Sequence, residues 1–226
     1  MYSGRAWDGF GAESEGKVEG VFVRVTRFDS APDRIDAAIE SFQRSGMTNL
    51  PDLEGFLGGA VLVDRGAGNG HVVTYWENAE SMQASEDTAN ALRSQAAQQL
   101  DGVKIGEIDR FEILVEERIA PPRAGTFVRV NEVHGSPSKV DEVAAMVRER
   151  AARKDLAGFR SVIMGANRDT GRMIISTSWE TAADRDASDQ PLQELREKGS
   201  AVAGAPTVNV SLYEAAFIEV KQAALV

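Results

Sequence analysis

Cysteine is absent from the 226-residue chain, and histidine is limited to His71 and His134. Without thiols there is no disulfide framework, thiolate metal site, iron–sulfur cluster or cysteine nucleophile. Neither histidine is followed by a ligand-type residue two or four positions on, so no three- or four-ligand metal centre is expected. Both read as surface polar residues. His134 keeps a second reading as a general base, since an unperturbed imidazole titrates near neutrality. No apolar run approaches the ~18 residues of a membrane-spanning helix. The opening stretch, MYSGRAWDGFGAESEGK, lacks the basic-then-apolar order of a secretory signal. Basic side chains are few: 25 Lys and Arg against 35 Asp and Glu, a net charge of −10. Residues 1–120 hold 11 basic and 21 acidic side chains, and residues 121–226 hold 14 of each. Such a surface cannot neutralise a phosphate backbone, which argues against a nucleic-acid partner. The composition reads as that of a soluble, cytoplasmic protein with no membrane partner.

What is present is a repeat. FVRVTRFDSAPDRID at 22–36 aligns with FVRVNEVHGSPSKVD at 127–141, identical at six of 15 positions, including Pro32/Pro137 and Asp36/Asp141. LEGF at 53–56 answers LAGF at 156–159, and the same offset pairs Arg65 with Arg168, TYWE at 74–77 with TSWE at 177–180, and Ser85 with Ser188. FEILVEE at 111–117 resembles YEAAFIE at 213–219. Each copy begins with a strand of alternating β-branched residues. A proline-started helix follows, whose apolar positions (Ile35, Ala38, Ile39, Phe42; Val140, Val143, Ala144, Val147) fall on one face. Two strands around a turn come next: Arg65–Gly70 in the first copy, 167–171 in the second. Gly66, Gly68 and Gly70 lie between strands and not before a helix, so this is a hairpin and not a phosphate loop. A second helical region follows each Trp-Glu pair; in the second copy Pro191 interrupts it, with Ser188 or Asp189 capping a new helix. A last strand closes each copy, at about 105–115 and 207–218.

The order β-α-β-β-α-β is ferredoxin-like. The fold expected is α+β: two such units, 21–120 and 121–226, whose antiparallel sheets pack into a pseudo-dimeric barrel, preceded by an arm at 1–20. A βαββαβ unit with LEGF before its second strand and Trp-Glu closing its third resembles the antibiotic-biosynthesis-monooxygenase (ABM) type domain of the dimeric α+β barrel superfamily, here in tandem. The resemblance covers about 21–118 and 126–220. It implies a small aromatic or polyketide-like substrate, molecular oxygen as co-substrate and no cofactor. The haem-degrading branch would need an Asn on the first strand, a second Trp and a ligating His. Those positions hold Thr26, Ser85 and Gln95 in unit one, and Asn131, Ser188 and Lys198 in unit two. Only Asn131 matches, which argues against haem.

Candidate site residues follow from the first strand. Arg24 and Arg129 share a face with Phe22 and Phe127 behind them and Thr26 and Asn131 ahead. A buried arginine needs a carboxylate or an anionic ligand. The structural expectation is an ion pair with Glu112 or Glu214 on the last strands; the functional one is a cation that orients and stabilises a substrate anion. Trp76 and Trp179 read as core or as the wall of an aromatic pocket, with Phe159 a further substrate-binding candidate. Met47, Met82, Met146, Met164 and Met173 could soften such a pocket, and Trp7 on the arm is a further candidate. The site expected is Arg129, Asn131 and His134 as catalytic groups, with Phe127, Phe159, Trp179, Arg24 and Trp76 binding substrate. Unit two, which keeps Asn131, is the expected active half. The rival readings are a non-catalytic ligand-binding protein and an oxygen-independent isomerase or cyclase. A homo-oligomer is compatible with all of them.

Overall fold

The computed structural model describes residues 20–151, 155–205 and 208–221. Unit one runs β1 (Phe22–Asp29), α1 (Ile35–Ser41), a π-helical turn (Phe42–Gly46), α2 (Met47–Asn49), β2 (Phe56–Asp64), β3 (Asn69–Trp76), α3 (Ala79–Ala84), α4 (Glu86–Gln99) and β4 (Lys104–Arg118). Unit two repeats the order with β5 (Phe127–His134), α5 (Val140–Glu149), β6 (Phe159–Ala166), β7 (Arg172–Trp179), α6 (Ala182–Ala187), α7 (Asp189–Ala203) and β8 (Val208–Val220). The expected arm, Trp7 included, lies outside the described residues except for Gly20.

The two sheets do more than face one another. Their edges hydrogen-bond, giving one closed antiparallel barrel in the order β1-β3-β2-β8-β5-β7-β6-β4. The seams are β2 with β8 and β4 with β6. This is why β4 and β8 outrun their expected lengths: one end pairs within the unit and the other reaches across the seam. Closure leaves no long unpaired edge of the kind that invites aggregation.

Alternation along each strand divides the side chains into two layers. Val23, Val25, Val73, Phe111, Val128, Val130, Tyr213 and Ala215 fill the barrel. The opposite face carries the helices, over Leu50, Phe56, Trp76 and Met82 in unit one and Phe159, Met164, Met173 and Trp179 in unit two.

The repeated motifs explain themselves in this setting. Gly55 and Gly158 of the LEGF and LAGF strings have φ of +72° and +68°, and an added Cβ would stand 2.4 Å from Ser81 Oγ or 2.3 Å from Asp184 Oδ2. Only glycine fits both demands. Their carbonyls accept from the backbone N–H of Glu77 (2.8 Å) and Glu180 (2.7 Å). The next residues, Phe56 and Phe159, meet Trp76 and Trp179 edge-on with ring centroids 5.3 Å apart. Each indole N–H donates to the threonine two residues before it, Thr74 (3.0 Å) or Thr177 (3.2 Å).

The second helical region breaks at Ser188, and Ser85 breaks its counterpart with no proline nearby. Neither hydroxyl makes the expected capping bond; each serves an arginine instead.

Candidate functional site

Strand β1 turns Arg24 and Thr26 toward the helices, and Arg24 is only 2% exposed. Its guanidinium donates to the carbonyl of Met82 and to Ser85 Oγ (2.9 Å), and lies 3.1 Å from Glu86 at the start of α4. Ser85 Oγ in turn donates to Met82 O at 2.7 Å. Glu86 also takes Arg93 (2.5 Å) and Arg110 (2.7 Å). One carboxylate thus serves three guanidinium groups, and the cluster is cationic. Burial brings Arg24 down to about 10 against the pull of Glu86. Glu86 is drawn upward by partial burial, but the hydrogen bond from Arg110 and the charge of Arg24 hold it below the usual carboxylate range.

Beside this cluster a cavity of about 100 Å³ opens between sheet and helices. Arg24, Thr26, Thr74, Arg93 and Gln95 are among its polar groups; Phe42, Leu92 and Val103 are among its apolar walls. Ser45 and Gly46 of the π-helical turn also line it. Such turns recur at functional sites because an extra residue is accommodated at a helical price. In unit two α5 ends at Glu149 and no π-helical turn follows it among the described residues.

Unit two arranges its arginine in the same way. Arg129 donates to Ser188 Oγ (2.8 Å) and Arg185 O (2.7 Å), and faces Asp189 at 3.5 Å. The local cavity, about 80 Å³, is lined by Asn131, Phe159, Thr177 and Arg196, but not by Arg129. Asn131 Nδ2 donates to Ile175 O at 3.2 Å, and its Oδ1 is buried without a partner.

Several expected positions are corrected. The partners of Arg24 and Arg129 are Glu86 and Asp189, because both arginines point to the helices; Glu112 and Glu214 pair with Arg168 and Arg65. Trp76 and Trp179 are fully buried in the core and line neither cavity. Phe127 lies under Arg185, 5.8 Å from its guanidinium carbon, and away from both cavities. His134 is exposed at the end of β5 and reaches neither cavity. His71 is not on the surface: at 3% exposure it projects into the barrel, since it alternates in phase with Val73 and Tyr75. Of the methionines, Met146 lines the second cavity and Met82, Met164 and Met173 are core.

No family model matches the chain. The uncharacterized protein Rv2558 of Mycobacterium tuberculosis is 25% identical over 209 residues, spanning 91% of this chain and 88% of that one. Its neighbour in name, Rv2557, is 26% identical over 163 residues, 71% and 72% of the two chains. Among solved structures, an anthrone oxidase-like protein superposes with a TM-score of 0.67 at 13% identity, over 92% of this chain and 96% of that one. A ferredoxin-fold protein of Listeria monocytogenes related to antibiotic biosynthesis monooxygenases gives 0.51 at 10% identity, covering 88% and 96%. The fold is that of the ABM-type α+β barrels. A chlorite dismutase from Candidatus Nitrospira defluvii shares it, with a TM-score of 0.56 at 12% identity over 87% and 91%. At these identities the likeness carries the fold and no activity.

Haem does not fit this barrel. Neither helix–sheet cavity is lined by an imidazole, and Gln95 and Lys198 stand where the ligand would be expected. The composition of the site was only partly visible beforehand. Glu86 and Arg93 carried one signal, a spacing of seven residues that places them on one face of a helix. The π-helical turn carried none.

Proposed function

We propose that the chain is a cofactor-independent monooxygenase acting on a small aromatic or polyketide-like molecule, bound as its anion in the cavity of unit one. The observation that supports this is that two guanidinium groups, Arg24 and Arg93, line a mostly apolar cavity with no carboxylate in its wall, their one shared carboxylate, Glu86, being divided with Arg110 behind them. Choosing unit one departs from the expectation for unit two, because Arg24 lines its cavity and Arg129 does not.

In this reading the substrate supplies the chemistry. An activated phenol or anthrone ionises, the anion passes one electron to O2, and recombination followed by loss of water turns CH2 into C=O. The balance is CH2 + O2 → C=O + H2O, with no external reductant. Arg24 and Arg93 stabilise the anion where its charge develops. Phe42, Leu92 and Val103 keep water away. No carboxylate or imidazole lines the cavity, so ionisation depends on the guanidinium field acidifying the substrate. An engineered cavity of ~150 Å³ holds benzene. At about 100 Å³, this one admits a single ring at most, and a larger substrate needs the π-helical turn to shift. The missing base favours a second reading, a binding protein that retains an aromatic anion without converting it.

The test is oxygen uptake by the full chain with a panel of anthrones and dihydroxynaphthalenes, with and without chelator, while Trp fluorescence reports binding. Chelator-insensitive uptake that Arg24→Met abolishes and Arg129→Met spares is the expected result. Quenching without uptake selects the binding protein; neither signal removes the aromatic substrate from consideration.

A further inference from the structure

The two seams of the barrel differ at the end where β1 and β5 finish. At one, Arg172 from the start of β7 reaches across to Asp109 (2.8 Å) and Glu107 on β4. The repeat offsets give the equivalents at the other seam as Asn69 for Arg172, Ser211 for Asp109 and Asn209 for Glu107. No guanidinium stands in the place of Arg172 there; Arg65 crosses the seam to Glu214 (3.1 Å) but does not line the space beside it. Instead a cleft of about 590 Å³ opens between the β2–β3 hairpin and the first half of β8, a volume within the usual range for small-molecule sites.

The walls of this cleft are unlike their equivalents in kind. His71 stands where unit two has Ile174, and Tyr213 where unit one has Phe111. Both are buried, at 3% and 7% exposure, with Tyr213 Oη 3.4 Å from His71 Nε2. The second nitrogen of His71, Nδ1, has no partner. A core that elsewhere uses Ile and Phe carries a polar pair with one unpartnered nitrogen here, which is costly unless something uses it. Asp29, Asp64 and Glu107 line the cleft with one lining cation, Arg27; Glu107 is already held by Arg172, which leaves Asp29 and Asp64. Arg27 is itself committed to Glu132 (3.0 Å) and Asp109 (3.2 Å). Burial and the nearby Arg27 hold the His71 pKa at about 4, so the imidazole is neutral at pH 7 and adds no positive charge. Val210 and Leu212, 45% and 39% exposed, provide apolar surface at the rim.

We propose that this cleft binds a small organic monocation, an amine or guanidine bearing an apolar group. The charged head lies between Asp29 and Asp64 against the His71–Tyr213 wall, and the apolar group lies on Val210 and Leu212. The seating of Arg172 on Asp109 and Glu107 across the barrel is the internal precedent for a cation at this mouth. The site is separate from the helix–sheet cavities and does not depend on the oxygenase reading.

Calorimetric titration of the full chain with benzylamine tests the proposal, with benzyl alcohol and benzoate as neutral and anionic analogues. Saturable binding of benzylamine is expected, at least tenfold tighter than benzyl alcohol and weakening as salt is raised, whereas any benzoate binding belongs to the unit-one cavity and survives the double variant below. Asp29→Asn, an exposed change that leaves the fold alone, should weaken binding about fivefold, in line with the loss of one surface charge contact. The double variant His71→Ile, Tyr213→Phe copies the opposite seam and should abolish binding while keeping a cooperative melt. Absence of saturation at millimolar benzylamine overturns the proposal. So does equal affinity for benzyl alcohol, or unchanged affinity in Asp29→Asn.

Discussion

Arg65 and Glu214 are 149 residues apart in sequence, yet Arg65 Nε donates to Glu214 Oε2 at 3.1 Å. The same guanidinium holds Asp36 Oδ1 at 2.7 Å. Arg168 repeats the arrangement with Glu112 (2.6 Å) and Asp141 (2.9 Å). Each hairpin arginine therefore ties the helix start of its own unit to the last strand of the other. This accounts for two of the identities in the repeat, Arg65/Arg168 and Asp36/Asp141. The pairs are solvent-exposed, so each contributes no more than about 1 kcal/mol. Arg65→Met with Arg168→Met should lower the urea midpoint modestly in dilute buffer and hardly at all in molar salt. A large loss independent of salt would mean that the arginines act through packing.

Removing the single carboxylate of the Arg24 cluster should separate stability from affinity. Glu86→Gln leaves three guanidinium groups facing one another, one of them buried, and is expected to cost about 2–3 kcal/mol in chemical denaturation. The same change raises the local positive charge, so a single-ring aromatic anion such as benzoate should bind more tightly in Trp fluorescence titration. Weaker binding would show that the anion does not approach this cluster.

His71 makes stability depend on pH in a defined window. Burial first and the Arg27 charge second lower its folded pKa to about 4 from 6.5, with Glu132 opposing. The unfolded chain therefore holds more protons between these values, and stability falls as the pH drops through them. Above pH 6.5 the neutral imidazole carries no such penalty; near pH 4 it approaches ~3 kcal/mol at 1.36 kcal/mol per pKa unit. Denaturation curves for the natural chain and His71→Gln, taken from pH 7 to pH 4, should differ by about this slope. Parallel curves would place the imidazole in water.

Arg27 and Glu132 occupy equivalent positions of the two units and pair at 3.0 Å inside the barrel. Glu132→Arg should be severely destabilising, by about 3 kcal/mol or more, because it buries like charges side by side. Exchanging the two residues, Arg27→Glu with Glu132→Arg, should recover part of that loss in a double-mutant cycle. Separately expressed units should mix into one-to-one pairs and resist self-pairing; stable homodimers of either unit would contradict this.

Much of the architecture was legible because periodicity and duplication reinforce each other. Val23, Val25 and Val73 alternate as barrel residues must, and every copied element supports its twin. Closure of the barrel was less accessible, since β2–β8 and β4–β6 pairing depends on edges far apart in sequence. The site was harder still. Arg24 and Arg129 stood out as cations within a strand, but strand alternation does not say whether the nearest acid comes from the next strand or from a helix above. The helices supplied it, through Glu86 and Asp189. His71 was misplaced because a polar residue beside a glycine-rich turn resembles surface, whereas its phase with Tyr75 directs it inward. The π-helical turn packs Phe42 over Gly59 of β2 and against Gly46, where a Cβ would stand 2.8 Å from the Phe42 ring, and a lone glycine is too common a residue to announce it.

The bond between Gly55 and Glu77, and its twin between Gly158 and Glu180, bears on how this chain can diversify. Both knots lie at the strand ends beneath Trp76 and Trp179, outside the walls of either helix–sheet cavity. Selection that preserves LEGF, LAGF and Trp-Glu therefore preserves the barrel and leaves Thr26, Arg93 or Phe42 free to change. Descendants of one ancestor can share every recognisable string and still differ in what they bind.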